Sequence, residues 1–273
     1  MSLIESTLPL SNEGVGTILI QLDIGNVIQS ERDVYSVQAD GYIASLTGRH
    51  FGYDDTGHLD SGRITGLVAT ADTPDDRSVF LSATGLNVDE GRFQDLNASD
   101  PEAGLRYVLR GDDVVVANQT TPAPDVVYTY GGNDIVRAGP GDDEVHGGRG
   151  DDVLRGQGGN DALFGDRGDD VLDGGVGGLD KDVLTGGRGS DTFVFLANYG
   201  QDTITDFGRG HDRIELSLAD FKSFADVQQA WQQVGDDVVI TPSEPKIDTD
   251  VAQTLTIENT TIADLTAQDF LFV

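Results

Sequence analysis

Cut every nine residues from Gly147, the chain reads GGRGDDVLR, GQGGNDALF and GDRGDDVLD. Each piece opens on a glycine-rich turn, carries aspartate at its sixth place and an aliphatic residue at its eighth. Run backward, the frame gives AGPGDDEVH, TYGGNDIVR and the glycine-free TTPAPDVVY, with VLRGDDVVV at 108–116 after a three-residue interruption. Run forward, it gives the twelve-residue GGVGGLDKDVLT and then GGRGSDTFV, which ends at residue 194. A fixed short period of this kind means stacked units, none of which can bury its apolar face alone.

The unit divides into six residues of turn and three of strand. Glycine tolerates positive φ, so GGxG turns sharply and aims its carbonyls inward. The strand period of two places the aspartate and the aliphatic of D-x-U on one side. The aliphatic thus enters a thin core, and the carboxylate points toward the turn carbonyls. Oxygens converging in this way suit a hard cation. Calcium, which accepts six to eight oxygens in irregular geometry, fits better than magnesium; zinc and copper would want His or Cys. One aliphatic per nine residues is a small return on the cost of ordering the backbone, so the repeat zone is expected to fold only with its metal.

Charge narrows the function. Asp and Glu number 48 against 17 Lys and Arg, a formal charge of −31. Such a chain lacks the basic footprint that nucleic acid or an anionic membrane requires. Cysteine is absent, which removes disulfides, thiolate metal sites and cysteine nucleophiles. No stretch has the length and apolarity of a membrane span. The first thirty residues carry glutamate where a signal peptide would carry lysine or arginine, so an N-terminal leader is not expected.

Composition shifts divide the chain into three zones: a β-rich module at 1–107, the repeats at 108–194 and a capping region at 195–273. Strands are expected over Gly16–Leu22, Tyr42–Leu46, Arg63–Thr70 and Ser78–Ala83, with a short helix near Ala103–Val108. In the last zone, Ser217 is expected to cap a helix through LADFKSFADVQQAWQQ, followed by strands at Asp237–Thr241 and Thr254–Glu258.

GGRGDDVLR matches the RTX nonapeptide G-G-x-G-x-D-x-U-x at every specified place. The segment GSDTFVFLANYGQDTITDFGRGHDRIELS resembles the closing part of the roll in serralysin-like and haemolysin-type RTX proteins, and TIADLTAQDFLFV resembles an uncleaved type I secretion signal. The resemblance implies an all-β fold: a right-handed parallel β-roll, two units per coil, with an N-terminal β-rich module and a C-terminal helix-plus-strand cap. It also implies several Ca2+ ions, each between units i and i+2. One edge would use Asp134, Asp152, Asp170 and Asp191, the other Asp125, Asp143, Asp161 and Asp182, with Asp202 closing the last site and Asp206 as a further candidate. Carbonyls of places 2 and 4 would come from Tyr130 and Gly132, Gly139 and Gly141, Gly148 and Gly150, and from Gly159 and Gly168. Carbonyls of places 1 and 3 would come from Gly147 and Arg149, Gly156 and Gly158, Gly165 and Arg167, Gly174 and Val176, and Gly186 and Arg188. Two departures stand out. Residues 120–128 have no glycine, and the insertion at 178–180 leaves Asp180 and Asp182 as alternatives.

Other motifs point nowhere specific. Arg-Gly-Asp at 110–112, 149–151 and 167–169 is a by-product of the repeat. Neither HExxH nor G-x-S-x-G occurs, so neither the protease nor the lipase signature accompanies the repeats. Place 5 (Asn133, Asp142, Asp151, Asn160, Asp169) is expected to face outward, His50 and His58 to lie in an exposed loop, and Trp231 to sit in a helical core face. The expectation is a non-catalytic, secreted bacterial protein that meets calcium outside the cell after passing a type I exporter, with a cell-surface, adhesion or matrix role. The alternatives are a polysaccharide-binding module gripping through residues 1–107, or an enzyme in that zone.

Overall fold

The computed structural model describes residues 110–117, 122, 124–177, 179–196, 198–242 and 253–273, together with seven strands within residues 5–89. The helix expected near 103–108, and His58 with Asp54 and Asp55, lie outside the described residues. β1 (Glu5–Thr7) and β2 (Leu19–Leu22) form an antiparallel pair. β3 (Asn26–Glu31), β4 (Val34–Ala39), β5 (Tyr42–Tyr53), β6 (Leu59–Ala71) and β7 (Val79–Asp89) form an antiparallel meander. His50 falls on β5 rather than in a loop. β7 pairs antiparallel with β8 (Val114–Ala117), which carries the meander directly into the repeat zone.

From β8 onward successive units alternate between two sheets, giving a parallel solenoid of about five turns. One sheet runs β8, β10 (Ile135–Pro140), β12 (Val153–Gly158), β14 (Val171–Gly175), β16 (Thr192–Phe195), β18 (Arg213–Leu216) and β22 (Phe270–Phe272). The other runs β9 (Val126–Tyr128), β11 (Glu144–Arg149), β13 (Ala162–Arg167), β15 (Val183–Arg188), β17 (Gln201–Ile204) and β21 (Thr254–Ile257). An antiparallel hairpin, β19 (Trp231–Val234) and β20 (Asp237–Ile240), extends the second sheet beyond β21.

Register explains the nine-residue period. Two units make one coil, so identical places stack on alternate strands. The eighth-place residues form one column, Val136–Leu154–Leu172–Phe193–Ile214–Phe270. The facing column is Val127–Val145–Leu163–Leu184–Ile204–Ile257. Most of these side chains are fully buried, and each contributes about 1.5–3 kcal/mol. The core is therefore two residues wide over its length, with aromatic material only toward the C-terminal end, where Phe195 meets Tyr199 and Phe224 meets Trp231 and Phe270.

The capping region departs from expectation in one element. Ser217 closes a turn, its carbonyl accepting the N–H groups of Asp220 and Phe221. The helix, α1, spans only Phe224–Ala230, with Ser223 at its N-cap. Residues from Trp231 onward join β19, where pairing with β20 overrides their helical spacing. Trp231 is thus a half-buried strand residue packed edge-on against Phe224.

Candidate metal centre

Each sixth-place aspartate stands immediately before its strand and serves the strand two units earlier. On one edge the backbone N–H of Asp113 donates to Asp134 Oδ1 at 2.8 Å, Asp134 to Asp152 at 2.7 Å, Asp152 to Asp170 at 2.8 Å, Asp170 to Asp191 at 3.0 Å and Asp191 to Asp212 at 3.0 Å. On the other edge Asp125 donates to Asp143 at 2.8 Å, Asp143 to Asp161 at 2.9 Å, Asp161 to Asp182 at 2.9 Å and Asp182 to Asp202 at 3.0 Å. These are two continuous aspartate ladders, one along each edge of the roll.

In five rungs one oxygen is thereby engaged and the other is left over, whereas Asp212 at the end of its row also accepts the Gly208 N–H at 2.7 Å. Oδ2 of Asp134, Asp143, Asp152, Asp161 and Asp170, and both oxygens of Asp113, are buried with no hydrogen-bond partner. Such orphaned charge is costly and calls for a bound partner. The spare oxygens face the first-place glycines. A Cβ added to Gly165 would collide with Asp170 Oδ2 and come within 2.7 Å of the Gly186 carbonyl oxygen; one on Gly156 would meet Asp161 Oδ2 and the Gly174 carbonyl oxygen. A carboxylate oxygen and a carbonyl oxygen from two units on therefore converge at each such turn, the hard-oxygen set that suits calcium. Among the described residues no three His, Asp or Glu side chains cluster as a metal site.

Burial dominates the electrostatics. It pushes Asp152, Asp161 and Asp202 up to about 8, Asp113, Asp143 and Asp170 to about 7, and Asp125, Asp134, Asp182 and Asp191 to about 6. For most of the ladder the donated backbone N–H opposes this rise, and neighbouring carboxylates reinforce it. A nearby divalent cation would reverse the effect.

The ladder orders the candidates. Asp182, not Asp180, occupies the rung after Asp161; Asp180 instead accepts the Gly159 N–H at 3.1 Å. Asp202 is a rung. Asp206 stands apart, both of its oxygens taken by the N–H groups of Gly186 and Gly187 at 2.9 Å. Asp125 begins its row half-buried, and in the next unit Thr129 replaces the usual first-place glycine. Its hydroxyl donates to the Gly147 carbonyl at 2.7 Å, which ties up one oxygen of that turn. Two rungs escaped the sequence reading. Asp113 and Asp212 were visible in the same D-x-U tripeptide, as DVV and DRI, but lie in units whose turns lack the full glycine pattern. Place 5 faces outward and forms its own exposed ladder, Asn133 and Asp142 among others accepting turn N–H groups.

Place 2 turns through positive φ in every well-formed unit, with glycine at 139, 148, 175 and 187 but Tyr130, Gln157 and Asp166 elsewhere. The place-3 carbonyls of Arg149, Gly158, Arg167 and Arg188 accept place-4 N–H groups from two units earlier at 2.7–2.9 Å; each keeps a second lone pair.

The family match agrees with this geometry. The RTX calcium-binding nonapeptide repeat matches in four copies, at residues 120–145, 146–178, 155–193 and 176–198. No curated protein matches the chain. Among solved structures, the AlgE6R3 subunit of the Azotobacter vinelandii mannuronan C5-epimerase is similar at 25% identity and a TM-score of 0.37, over 56% of this chain and 82% of that one. The AlgE6R2 subunit of the same enzyme gives 28% and 0.33, over 46% and 90%. Extracellular lipase LipA from Serratia marcescens gives 15% and 0.30, over 60% and 38%. The repeat segment of this chain, a parallel solenoid with a buried aspartate at the start of most of its strands, belongs to the RTX calcium-binding nonapeptide repeats.

Proposed function

We propose that this chain is a calcium-folded, non-catalytic binding protein that works outside a bacterial cell. The observation that carries the reading is the pair of ladders whose spare Oδ2 atoms are buried without partners beside convergent carbonyls. Calcium seated between units i and i+2 would take Oδ2 of two rungs together with carbonyls of places 2 and 4 of the first and places 1 and 3 of the second, for example Asp161 and Asp182 with the carbonyls of Gly159, Gly174 and Val176 on one edge. Asp134, Asp152, Asp170 and Asp191 would hold the ions of the other edge. Metal binding energy would then be folding energy.

That coupling fits export. A chain that stays loose where calcium is scarce and folds where it is abundant can pass a type I exporter and mature outside. Extracellular calcium modules bind at about 10⁻⁴–10⁻³ M, matched to that change of surroundings. RTX repeats are typical of secreted bacterial proteins, and among the described residues no helix is long and apolar enough to cross a membrane. Residues 195–273 would act as the cap, since their strands continue both sheets of the roll.

Calcium titration followed by circular dichroism and thermal melting tests the reading. The expected result is a calcium-dependent gain of β signal and of melting temperature, reversed by chelator. Full β content and an unchanged melting temperature in excess chelator would overturn it.

A further inference from the structure

The two edges of the roll differ at the places the repeat leaves open. Arginine stands at place 3 in three consecutive turns that pass from the second sheet to the first: Arg149, Arg167 and Arg188. The opposite edge has Pro140, Gly158 and Val176 at that place, so no cationic row forms there. Arg149 pairs with Arg167, and Arg167 with Arg188, in direct register. The row therefore repeats at the strand spacing, about 4.8 Å. Two residues further along the same turns, Asp151 and Asp169 stack with the same repeat. The Asp169 N–H donates to Asp151 Oδ1 at 2.9 Å, and the Ser190 N–H to Asp169 Oδ1 at 2.8 Å. All three arginines and both aspartates are exposed.

One edge thus carries a basic column beside an acidic column. The two do not neutralise each other. Among the described residues no carboxylate forms an ion pair with Arg149, Arg167 or Arg188; the pairs present are His146 with Glu144 and Asp166, and Arg155 with Asp173. Like charges stacked in register are unfavourable, and each column leaves its charge to be met from outside. A two-fold axis normal to the edge reverses the roll and exchanges the two sides of the edge. It lays the basic column of one copy on the acidic column of the other, and a shared spacing lets successive levels match together. With the axis midway between the turns of Arg149 and Arg167, Arg149 of one copy faces Asp169 of the other, and Arg167 faces Asp151. Symmetry doubles both pairs. Arg188 faces Asn133. Gly210 packs against the Gly189 carbonyl, which continues the basic column to the exposed Arg209; in the same alignment Arg209 faces Asp112.

We propose that the chain forms a two-fold dimer with a second copy of itself through this edge, Arg149 and Arg167 of each copy meeting Asp169 and Asp151 of the other. The stripe supplies its own complement, whereas a polyanion laid on the arginines would meet the acidic column beside them. An isologous contact closes at two copies. Exposed ion pairs are individually weak, and a charge of −31 on each copy opposes association. The dimer is therefore reversible, and forms where salt screens charges beyond about 10 Å and leaves close contacts attractive. The columns exist only in the folded roll, so the proposal rests on the calcium-folded state proposed above.

The test is sedimentation equilibrium of the full chain in calcium at about 0.1 M salt. The expected result is a monomer–dimer equilibrium that weakens toward about 1 M salt. Two double variants separate specific pairing from net charge: Arg149→Glu with Arg167→Glu, and Asp151→Lys with Asp169→Lys. Place 5 already holds an exposed lysine at Lys181, whose N–H donates to Asn160 Oδ1 at 3.0 Å. Net charge alone would weaken association in the first variant and strengthen it in the second. Column pairing predicts at least a tenfold loss in each, and recovery of the dimer when the two are mixed. If a double variant does not fold, Arg167→Gln and Asp169→Asn replace it, each expected to weaken the dimer about threefold or more; the asparagine keeps the acceptor for the Ser190 N–H. A parent that stays monomeric up to about 1 mM, whether or not it binds an added oligothymidylate, would overturn the proposal. So would an Asp151→Lys, Asp169→Lys variant that dimerises as well as the parent, folded variants that do not pair on mixing, or assembly that continues past two copies. Calcium-dependent melting is read on the same samples. If it is intact while the dimer is absent, only this inference falls; if melting does not depend on calcium, the preceding reading falls.

Discussion

Place 6 makes two demands of its aspartate. Oδ1 accepts a backbone N–H from two units earlier, and Oδ2 stays free at the turn. Asn satisfies the first demand and fails the second. In Asp161→Asn the amide oxygen keeps the bond from Asp143, while the buried unpaired charge disappears. The variant is expected to melt higher than the parent in chelator, by on the order of 1–3 kcal/mol of stability, and to gain less from calcium. Opposite shifts in the two buffers are the signature; a loss in both would make the residue merely structural. Place 1 makes a demand on space. Gly165→Ala puts a methyl against Asp170 Oδ2 and within 2.7 Å of the Gly186 carbonyl, whereas the nearest atom to a Cβ on Gly158 is the Val176 carbonyl oxygen at 4.0 Å. Calcium titration should therefore separate the two: Gly165→Ala weakens calcium binding and stability, and Gly158→Ala stays within about 0.5 kcal/mol of the parent. These roles were legible because D-x-U fixes the carboxylate and the core residue together. The row of arginines carries side chains that the repeat pattern leaves unspecified at place 3, so their alignment emerged only from strand register.

At the scale of elements, strand alternation and the stacking of eighth-place residues were readable from the period. The helix was not readable at its ends. The 218–233 stretch has helical spacing, but a turn at Ser217 uses its first residues and a hairpin claims its last, so α1 keeps seven. Sheet pairing is a long-range gain that local spacing does not encode. The C-terminal strands close the roll. β22 covers β18, and β21 covers β17 while holding the hairpin of β19 and β20 to the sheet. Deleting residues 253–273 opens an edge on both sheets at once, and open edges recruit other chains. In calcium, the truncated chain is expected to lose its cooperative melt and to sediment as a concentration-dependent oligomer larger than the parent. The parent's size together with its melting temperature would mean that the roll closes without these strands.

At the scale of the molecule, acidity and fold are one problem, and pH separates its parts. In the calcium-free roll, ten ladder carboxylates from Asp113 to Asp202 have their protonation raised from an ordinary 3.8 to about 6–8. Below 3.8 both folded and unfolded chains hold these protons, and pH has no leverage through them. As pH rises the unfolded chain ionises first, so the folded state holds more protons and loses stability by about 1.4 kcal/mol per pH unit for each extra proton. The penalty is complete above about 8. Calcium inverts the slope, because it competes with those same protons and binds better as they leave. Melting temperature without calcium is therefore expected to fall between pH 6 and pH 8, and the gain on adding calcium to rise over the same interval. General repulsion from a charge of −31 also eases in acid, but exposed carboxylates titrate near 4, so that relief ends below the interval. A calcium-free melting temperature flat from pH 6 to pH 8, with all its change below pH 5, would assign the acid response to surface repulsion and remove the buried ladder as its cause.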